Sequence, residues 1–433
     1  MKTFFEKRNS TGPTGDEGFV VNVYSGLEKS EILGFGGAFT EAAAYNYYLA
    51  DESEKKLLLK KYFSKDEGIG YNFCRLHIGS CDFALDQYSL SYKEDLSDFS
   101  IERDKKYIIP FVKDALSYTG GNIFLFASPW SPPAFMKDNN SLIKGGKLIK
   151  EFYPVYADYF VKFLKAYKDE GITVSALTVQ NEPKAIQTWE SCQWTGEEEA
   201  EFAIKYLRPA LDKNGFAEVK IILWDHNKER LFDRTCESLS VKGAKDAVWG
   251  MGFHWYSGNH FDTIDLVKKV FPDKMIFETE LCHGDSHDLT DEERAEEYAI
   301  EYCDDINHGV NGICDWNLIL DTKEGGPFHC RNTGGCYAPV YYDNETGKFK
   351  EDATFGVVGV FSKYIDKGDI SLETTSYSQK IHTAAIKKKD GRIFVFIVNT
   401  KDEESKIVVR IDGGKKTAVF TLPAKSVSAN EII

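Results

Sequence analysis

Eight short apolar runs, rich in β-branched and aromatic residues, follow one another along most of the chain and constrain its fold more than any other feature. They occupy residues 34–39, 71–79, 122–130, 175–183, 219–226, 247–256, 275–282 and 312–318. Each run has the length of a buried strand, and most intervening segments carry apolar residues at helical spacing. Eight strand and helix units in succession are typical of a (β/α)8 barrel, so we predict an α/β fold with a TIM barrel.

The predicted domain organisation follows from where this rhythm holds. Helical periodicity is clear in residues 52–62, 105–118, 152–167, 197–211, 291–307 and 357–365. The connections after Trp224 and Trp255 predict only short helices. From residue 366 the pattern changes to alternating strands joined by Asp-Gly and Gly-Gly turns. We therefore predict a catalytic barrel over residues 33–365 and a small side β-sandwich over residues 366–433, which the amino-terminal segment 1–32 joins.

Charge and cysteine content narrow the class of partner. The 433 residues include 53 lysines and arginines against 68 aspartates and glutamates, a net charge of -15. This charge disfavours nucleic acid and anionic membranes as partners. The first residues lack the apolar core of a signal peptide, and no apolar stretch of about 18 residues occurs, so we expect neither export nor a membrane anchor. Nine scattered cysteines, an odd number, indicate reduced thiols and predict a cytoplasmic protein.

Chemically active side chains cluster where the predicted strands end. In barrels of this kind the active site lies at the carboxyl ends of the strands. The fourth run ends Val179-Gln-Asn-Glu-Pro183, so Asn181 and Glu182 emerge at the barrel mouth. The other strand ends carry Arg75, His77 and Asp82 on strand two, Trp130 on three, Asp225 and His226 on five, His254 and Tyr256 on six, Glu278 and Glu280 on seven, and Asp315, Trp316 and Asn317 on eight.

Glutamates at the ends of strands four and seven lie on opposite sides of the barrel mouth. Glycoside hydrolysis needs such a pair, because one carboxylic acid protonates the leaving oxygen while an ionised carboxylate attacks or stabilises the anomeric carbon. Aromatic residues such as Trp130 and Trp316 can stack on the apolar face of a sugar ring. The pattern leaves the partner of Glu182 open, because Glu278 and Glu280 would share one face of a regular strand.

Seven motifs, in order over residues 30–365, resemble those of the glucosylceramidase-like members of glycoside hydrolase family 30. They are Gly34-Phe-Gly-Gly-Ala-Phe-Thr-Glu-Ala-Ala-Ala44, Ser80-Cys-Asp-Phe83, Ala127-Ser-Pro-Trp130, Val179-Gln-Asn-Glu-Pro183, Phe253-His-Trp-Tyr256, Glu278-Thr-Glu-Leu-Cys282, and Asp315-Trp-Asn-Leu318 with Gly325-Gly-Pro327. The resemblance implies a (β/α)8 barrel with a side β-sandwich and the activity of a retaining β-glycosidase.

The same resemblance implies roles for individual residues. Glu182 corresponds to the general acid/base and Glu280 to the nucleophile. The expected substrate-binding residues are Asp82, Trp130, Asn181, Trp316, Asn332, Tyr256, His254 and Arg75. We expect an exo-acting β-glucosidase of the glucosylceramidase type, acting on small imported β-glucosides without a metal or cofactor. A β-xylosidase or a β-1,6-glucanase of the same family is the alternative.

Three rival interpretations remain at this point. A metal hydrolase would use Cys282, His283 and His287, which lie close together in sequence. A dinucleotide enzyme is disfavoured, because the glycines that begin at Gly34 have Phe39 where a Gly-x-G-x-x-Gly motif needs its last glycine. A noncatalytic carbohydrate-binding protein would need the aromatic residues but not two opposed glutamates.

Overall fold

The computed structural model describes residues 1–12, 15, 18–284, 289–323, 325–330 and 335–433. Its strands are β1 (Lys2–Arg8), β2 (Phe19–Glu31), β3 (Gly34–Ala38), β4 (Phe73–Ile78), β5 (Phe124–Pro129), β6 (Ala176–Thr178), β7 (Lys220–Asn227), β8 (Gly250–His254), β9 (Met275–Glu280), β10 (Gly312–Asn317), β11 (Leu320–Asp321), β12 (Val340–Asp343), β13 (Lys348–Glu351), β14 (Ile370–Ser376), β15 (Ile381–Lys387), β16 (Ile393–Asn399), β17 (Ser405–Ile411), β18 (Lys416–Leu422) and β19 (Ser426–Ile432). Its helices are α1 (Glu41–Leu49), α2 (Glu52–Phe63), α3 (Ile108–Thr119), α4 (Tyr153–Asp169), α5 (Gly196–Phe202), α6 (Arg208–Lys213), α7 (Leu231–Leu239), α8 (Ala244–Ala247), α9 (Asp262–Val270), α10 (Asp291–His308) and α11 (Ala353–Ser362).

Eight parallel strands close into a barrel in the order β10, β3, β4, β5, β6, β7, β8, β9. This confirms the predicted TIM barrel. Apolar side chains from six of the barrel strands fill the barrel below the mouth, with the ring of Phe73 5.0 Å from that of Phe126 and 5.3 Å from that of Phe277. The packed interior leaves the carboxyl ends of the strands as the place for a site.

Several elements differ from the sequence prediction. Strand β6 is three residues long, whereas the apolar run predicts residues 175–183. It ends early because the backbone turns at Glu182, whose φ is +48°. Strands β11 to β13 form a separate sheet between β10 and α11, which the sequence pattern does not predict. The short helices expected after Trp224 and Trp255 are α7 and α9, of nine residues each.

The second layer of the molecule is an eight-stranded sheet in the order β1, β19, β16, β15, β14, β2, β17, β18. Strands from both ends of this order share one apolar core that includes Val21, Ile397, Val409 and Ile432, so the sheet closes over itself as a sandwich. This confirms the predicted side β-sandwich. Strand β1 pairs in parallel with β19, so the first and the last strand of the chain lie side by side.

Helix α10 joins the sandwich to the barrel. Thr290 caps its start in a reciprocal capping box with Glu293, and Gly309 in a left-handed conformation ends it. Its outer face binds the sandwich through a hydrogen bond of 2.9 Å between His382 and Asp304 and an ion pair of 2.7 Å between Lys425 and Glu296. Among the described residues, no helix combines the length and the apolar character needed to cross a bilayer.

Candidate active site

The bulge at the end of β7 brings side chains into the barrel mouth that a regular strand would point elsewhere. The pairing of β7 with β8 shifts between Trp224 and His226. Trp224 and Asp225 both have positive φ, at +74° and +53°. Left-handed backbone at consecutive non-glycine residues costs free energy and is found mostly where function requires it. Asp225 therefore belongs to the site. From the sequence we named it as a strand-end residue but not among the expected catalytic or substrate-binding residues.

A second register shift settles which glutamate of β9 faces the mouth. Phe253 of β8 pairs with Glu278, but the next residue, His254, pairs with Glu280, so Thr279 is an extra residue in the ladder. Glu280 therefore turns into the mouth. Glu278 instead turns towards α10, where it lies beside Glu301 and Asp305. Regular strand geometry, which puts the two glutamates on one face, fails here because of the bulge.

Glu280 lies in a network of donors. Arg75, which is fully buried, donates to its Oε2 at 2.7 Å, and the hydroxyl of Tyr256 donates to its Oε1 at 2.9 Å. Arg75 also donates to Asn181 at 2.9 Å and to Asp225 at 2.8 Å. Burial raises the pKa of Glu280 against the opposing positive charges of His254 and Arg75. The two donors hold both oxygens of Glu280 as acceptors.

Glu182 lies across the mouth from Glu280. Its Oε1 is 3.3 Å from Nδ1 of His254, and its Oε2 accepts from the amide of Gln187 at 3.4 Å. One of its oxygens lies within 4.8 Å of an oxygen of Glu280. Its backbone N–H donates to the carbonyl of Asp225 at 2.9 Å, which fixes the turn that follows β6. The two carboxylates thus face the same small volume.

His254 lies between the carboxylates of Glu182 and Asp225 and carries a proton that it shares with Glu182. Its Nε2 is 3.1 Å from Asp225, on the side away from Glu182. Burial alone would lower the pKa of His254, but the carboxylates of Glu280, Asp225 and Glu182 raise it to about 9. Burial alone would raise the pKa of Glu182, but the hydrogen bond with His254, the charge of that imidazole and the hydrogen bond with Gln187 lower it to about 2. Below pH 9 the pair of Glu182 and His254 therefore retains one proton, mainly on the imidazole.

A cavity of about 350 Å³ opens between the two carboxylates. Trp130 and Trp316 stack in its wall with ring centres 5.1 Å apart. Oδ1 of Asp82 is buried and has no hydrogen-bond partner among the described residues. Burial and the charge of Glu280 raise the pKa of Asp82 well above its ordinary value. The cavity thus offers flat aromatic surface beside a polar group without a partner, which is what a sugar ring requires.

Most of the residues predicted from sequence meet in this cavity or directly behind it. The cavity wall includes Asp82, Trp130, Asn181, Glu182, Tyr256, Glu280 and Trp316, and Arg75 and His254 bind the two glutamates from below. Asn332 lies outside the described residues, so its predicted contact with the sugar stays a prediction.

Other strand-end residues have structural roles. Nε2 of His77 accepts from the backbone N–H of Glu41 at 3.1 Å, and Asn317 accepts from the hydroxyl of Thr40 at 2.6 Å. Asp315 accepts from the hydroxyl of Tyr71. These groups stabilise the start of α1 and the inside of the barrel, and none of the three lines the cavity.

Sequence reasoning did not identify several residues that line the cavity. They are Phe83, Gln187, Trp189, Asn227, Gly284, Gly335 and Cys336. His226, which the sequence marked only as a strand-end residue, and Cys282, which it marked only as a candidate metal ligand, also line the cavity. A usable signal was present in the segment after Pro183, where an amide and a tryptophan lie close behind the strand exit.

The metal interpretation finds no support at the residues that suggested it. Cys282 lines the cavity with its Sγ 3.4 Å from the hydroxyl of Tyr256, and His283 packs on the ring of Trp255. His287 lies outside the described residues. The clusters of described residues that could hold an ion are Glu182, His254 and Glu280 on one hand and Glu278, Glu301 and Asp305 on the other. Neither contains Cys282 or His283.

Known proteins share this architecture. Residues 32–365 match the glycosyl hydrolase family 30 TIM-barrel domain, and residues 370–428 match the glycosyl hydrolase family 30 beta sandwich domain. The lysosomal acid glucosylceramidase of Mus musculus is 33% identical over 401 residues, which are 88% of this chain and 77% of that protein. A relative of this identity and coverage indicates common ancestry along the whole catalytic barrel.

Two solved structures are similar throughout. SrfJ from Salmonella typhimurium superimposes with a TM-score of 0.91 at 34% identity, covering 96% of this chain and 93% of that one. An endo-beta1,6-glucanase superimposes with a TM-score of 0.85 at 28% identity, covering 94% and 92%. With both family domains matched over most of its length, the chain is a glycoside hydrolase that belongs to glycosyl hydrolase family 30.

Proposed function

We propose that this glycoside hydrolase is a retaining, exo-acting β-glucosidase. The observation that carries the proposal is the approach of Glu182 and Glu280, whose nearest oxygens lie within 4.8 Å. Retaining enzymes hold their two carboxyl groups ~5 to 5.5 Å apart, whereas inverting enzymes need ~6.5 Å or more to admit a water molecule between them. The separation here supports retention.

In the proposed mechanism Glu280 is the nucleophile and Glu182 the acid/base. Ionised Glu280, oriented by Arg75 and Tyr256, attacks the anomeric carbon from one face. Glu182 protonates the departing oxygen from the other side, with the proton it shares with His254. Glu182 then accepts a proton from water as the water opens the covalent glycosyl-enzyme, and the configuration at the anomeric carbon is restored.

The size of the cavity supports an exo mode of action. Its volume of about 350 Å³ accommodates one sugar ring and the start of a second group. Asp82 and the stacked pair of Trp130 and Trp316 form the end at which the terminal sugar binds. A protonated Asp82 donates to a sugar hydroxyl, which satisfies its buried carboxyl group.

The glucosyl group is the part of the substrate that the relatives have in common. The mouse relative is named a glucosylceramidase and the structural neighbour an endo-beta1,6-glucanase. Both names specify a glucose unit and the second specifies a β linkage, so β-glucosides are the proposed class. The endo-beta1,6-glucanase, at 28% identity over most of the chain, makes β-1,6-linked glucans the second candidate. A cytoplasmic site of action is part of the proposal, and the odd number of cysteines in the chain, nine, supports it.

Hydrolysis of 4-nitrophenyl β-glycosides tests the proposal. We expect the wild-type enzyme to act on the β-glucoside more efficiently than on the β-xyloside, with the β-anomer of glucose as first product. Glu280→Gln is expected to lower turnover by at least about 10⁴-fold, because no covalent intermediate forms. Glu182→Ala is expected to retain action on activated leaving groups and to give a β-glucosyl azide with azide. An α-configured product would refute retention.

A further inference from the structure

The end of β7 has a feature that the proposed catalytic pair does not explain. The strained turn at Trp224 and Asp225 directs the next two side chains, His226 and Asn227, to the cavity wall. The strained backbone at Asp225 is explained by the side chain of Asp225, which binds Arg75 and His254. His226 and Asn227 bind neither glutamate side chain through a described hydrogen bond, so their position in the cavity needs another reason.

Each of these two side chains presents a polar atom without a partner. Nδ1 of His226 and Oδ1 of Asn227 are buried, and neither has a hydrogen-bond partner within the described part of the chain. The other side of the His226 ring hydrogen-bonds the backbone of Glu182, and burial lowers the pKa of His226, so its ring is neutral. An imidazole nitrogen and an amide oxygen in this state both accept hydrogen bonds. Burial of two such acceptors is costly unless a donor reaches them.

The place of these acceptors in the barrel relates them to the leaving group. The residues for the terminal sugar come from β4, β5 and β10, which lie on one arc of the barrel. His226 and Asn227 come from β7, on the other side of Glu182, which stands at the end of β6. The acid must lie between the terminal sugar and the group it protonates. The acceptors on β7 therefore face the leaving group. Gln187, which binds Glu182, also lines the cavity.

We infer that His226 and Asn227 form a binding site for a hydroxylated leaving group, and that the leaving group of the natural substrate is a second sugar unit. Two adjacent hydroxyl groups of a sugar supply the two donors that Nδ1 and Oδ1 lack. This inference rests on the proposed function, because it assigns the leaving-group side of the same site.

The surface next to the cavity argues against a lipid leaving group. A groove of about 900 Å³ adjoins the cavity and shares Tyr256, Cys282 and Gly284 with it. Five glutamates of α10 line this groove: Glu292, Glu293, Glu296, Glu297 and Glu301. Burial of hydrocarbon gains ~25 cal/mol per Å² only against apolar surface. An acyl chain gains little against carboxylates, whereas a sugar that extends into the groove remains hydrated.

Comparison of leaving groups tests the inference. The wild-type enzyme is assayed on 4-nitrophenyl β-glucoside, whose leaving group has no hydroxyl donor to offer, on the β1,3-, β1,4- and β1,6-linked glucose disaccharides, and on glucosylceramide in detergent micelles. The variant Asn227→Leu keeps the branching at Cγ but accepts no hydrogen bond, and the side chain of Asn227 makes no hydrogen bond with described residues that it would lose. We expect the kcat/KM ratio of the best disaccharide to the aryl glucoside to fall by about 10- to 100-fold.

A matched control and a second variant keep the outcome clear. Asn122→Leu changes an exposed asparagine that lines neither the cavity nor the groove and is expected to leave the ratio unchanged. If Asn227→Leu does not fold, Asn227→Ala is measured instead, with the same expectation. An unchanged ratio in the Asn227 variant, an equal fall in Asn122→Leu, or a wild-type preference for glucosylceramide over every disaccharide overturns the inference. Failure of the wild type to act on the aryl glucoside refutes the proposed function itself.

Discussion

Replacement of His254 by asparagine is the sharpest test of how protons are held in the site. His254 lies between Asp225, at 3.1 Å from Nε2, and Glu182, at 3.3 Å from Nδ1. In the wild type the pair of Glu182 and His254 keeps its proton until the imidazole loses it, and the pKa of His254 is raised to about 9. The variant His254→Asn leaves only the carboxyl group of Glu182 to hold that proton.

The expected size of the change follows from the burial and charge around Glu182. Without the imidazole, burial and the nearby carboxylate of Glu280 act on Glu182 unopposed by His254, so its pKa rises from the low value of the wild type. A buried catalytic glutamate reaches a pKa of about 6 to 7. The alkaline limb of kcat/KM should therefore move from about pH 9 to about pH 6 to 7. A fall of two pH units corresponds to about 2.7 kcal/mol in the free energy of holding the proton.

Hydrolysis of 4-nitrophenyl β-glucoside from pH 4 to pH 10 measures this limb. His329→Gln is the matched control, because His329 also pairs with a carboxylate, Glu190 at 3.2 Å, but lies outside the cavity. Its alkaline limb should stay with that of the wild type. An alkaline limb of His254→Asn that remains near pH 9 would refute the shared proton.

Two further predictions concern the charges buried beneath the site. Arg75→Met should lower the free energy of unfolding by about 3 to 5 kcal/mol at pH 7.5, because it leaves two buried carboxylates without their counter-ion. The loss should shrink at pH 5, where those carboxylates begin to protonate. Equal losses at both pH values in urea unfolding would contradict this prediction. Arg234→Met breaks a different buried pair, with Glu199, and should not alter the pH profile of activity. Burial and the neighbouring Asp305 and Glu301 raise the pKa of Glu278 well above its ordinary value, so its folded-state pKa exceeds the unfolded one and its ionisation costs stability as the pH rises. Glu278→Gln should therefore be more stable relative to wild type at pH 8 than at pH 4, and a constant difference would count against a neutral Glu278.

The predicted barrel and its strand order follow from local patterns, since each strand is a short apolar run and each long helix has its own periodicity. The ends of the strands were less predictable. The run at residues 175–183 indicates a long strand, but β6 stops at Thr178 because the chain turns at Glu182. The sheet formed by β11 to β13 was missed, since its strands have two to four residues each and pair across intervening loops.

The site was predictable as a set of strand-end residues but not as a working arrangement. Asn181 and Glu182 follow a recognisable strand exit, and the choice of Glu280 over Glu278 came from resemblance alone. The location of the chain in the cell and the contact of Asn332 stay predictions.

The architecture and the chemical type of the residues at the barrel mouth could be predicted from the sequence, because both depend on periodicity and on residues near in sequence. Which of those residues act together depends on the folded arrangement. The extra residue in β9 turns Glu280 and Glu278 in different directions. Arg75 binds both Glu280 and Asp225, which lie 205 and 150 residues further along the chain. Bulges and buried charges are three-dimensional properties, because strand pairing and Coulomb interaction act through space between segments that are far apart in sequence.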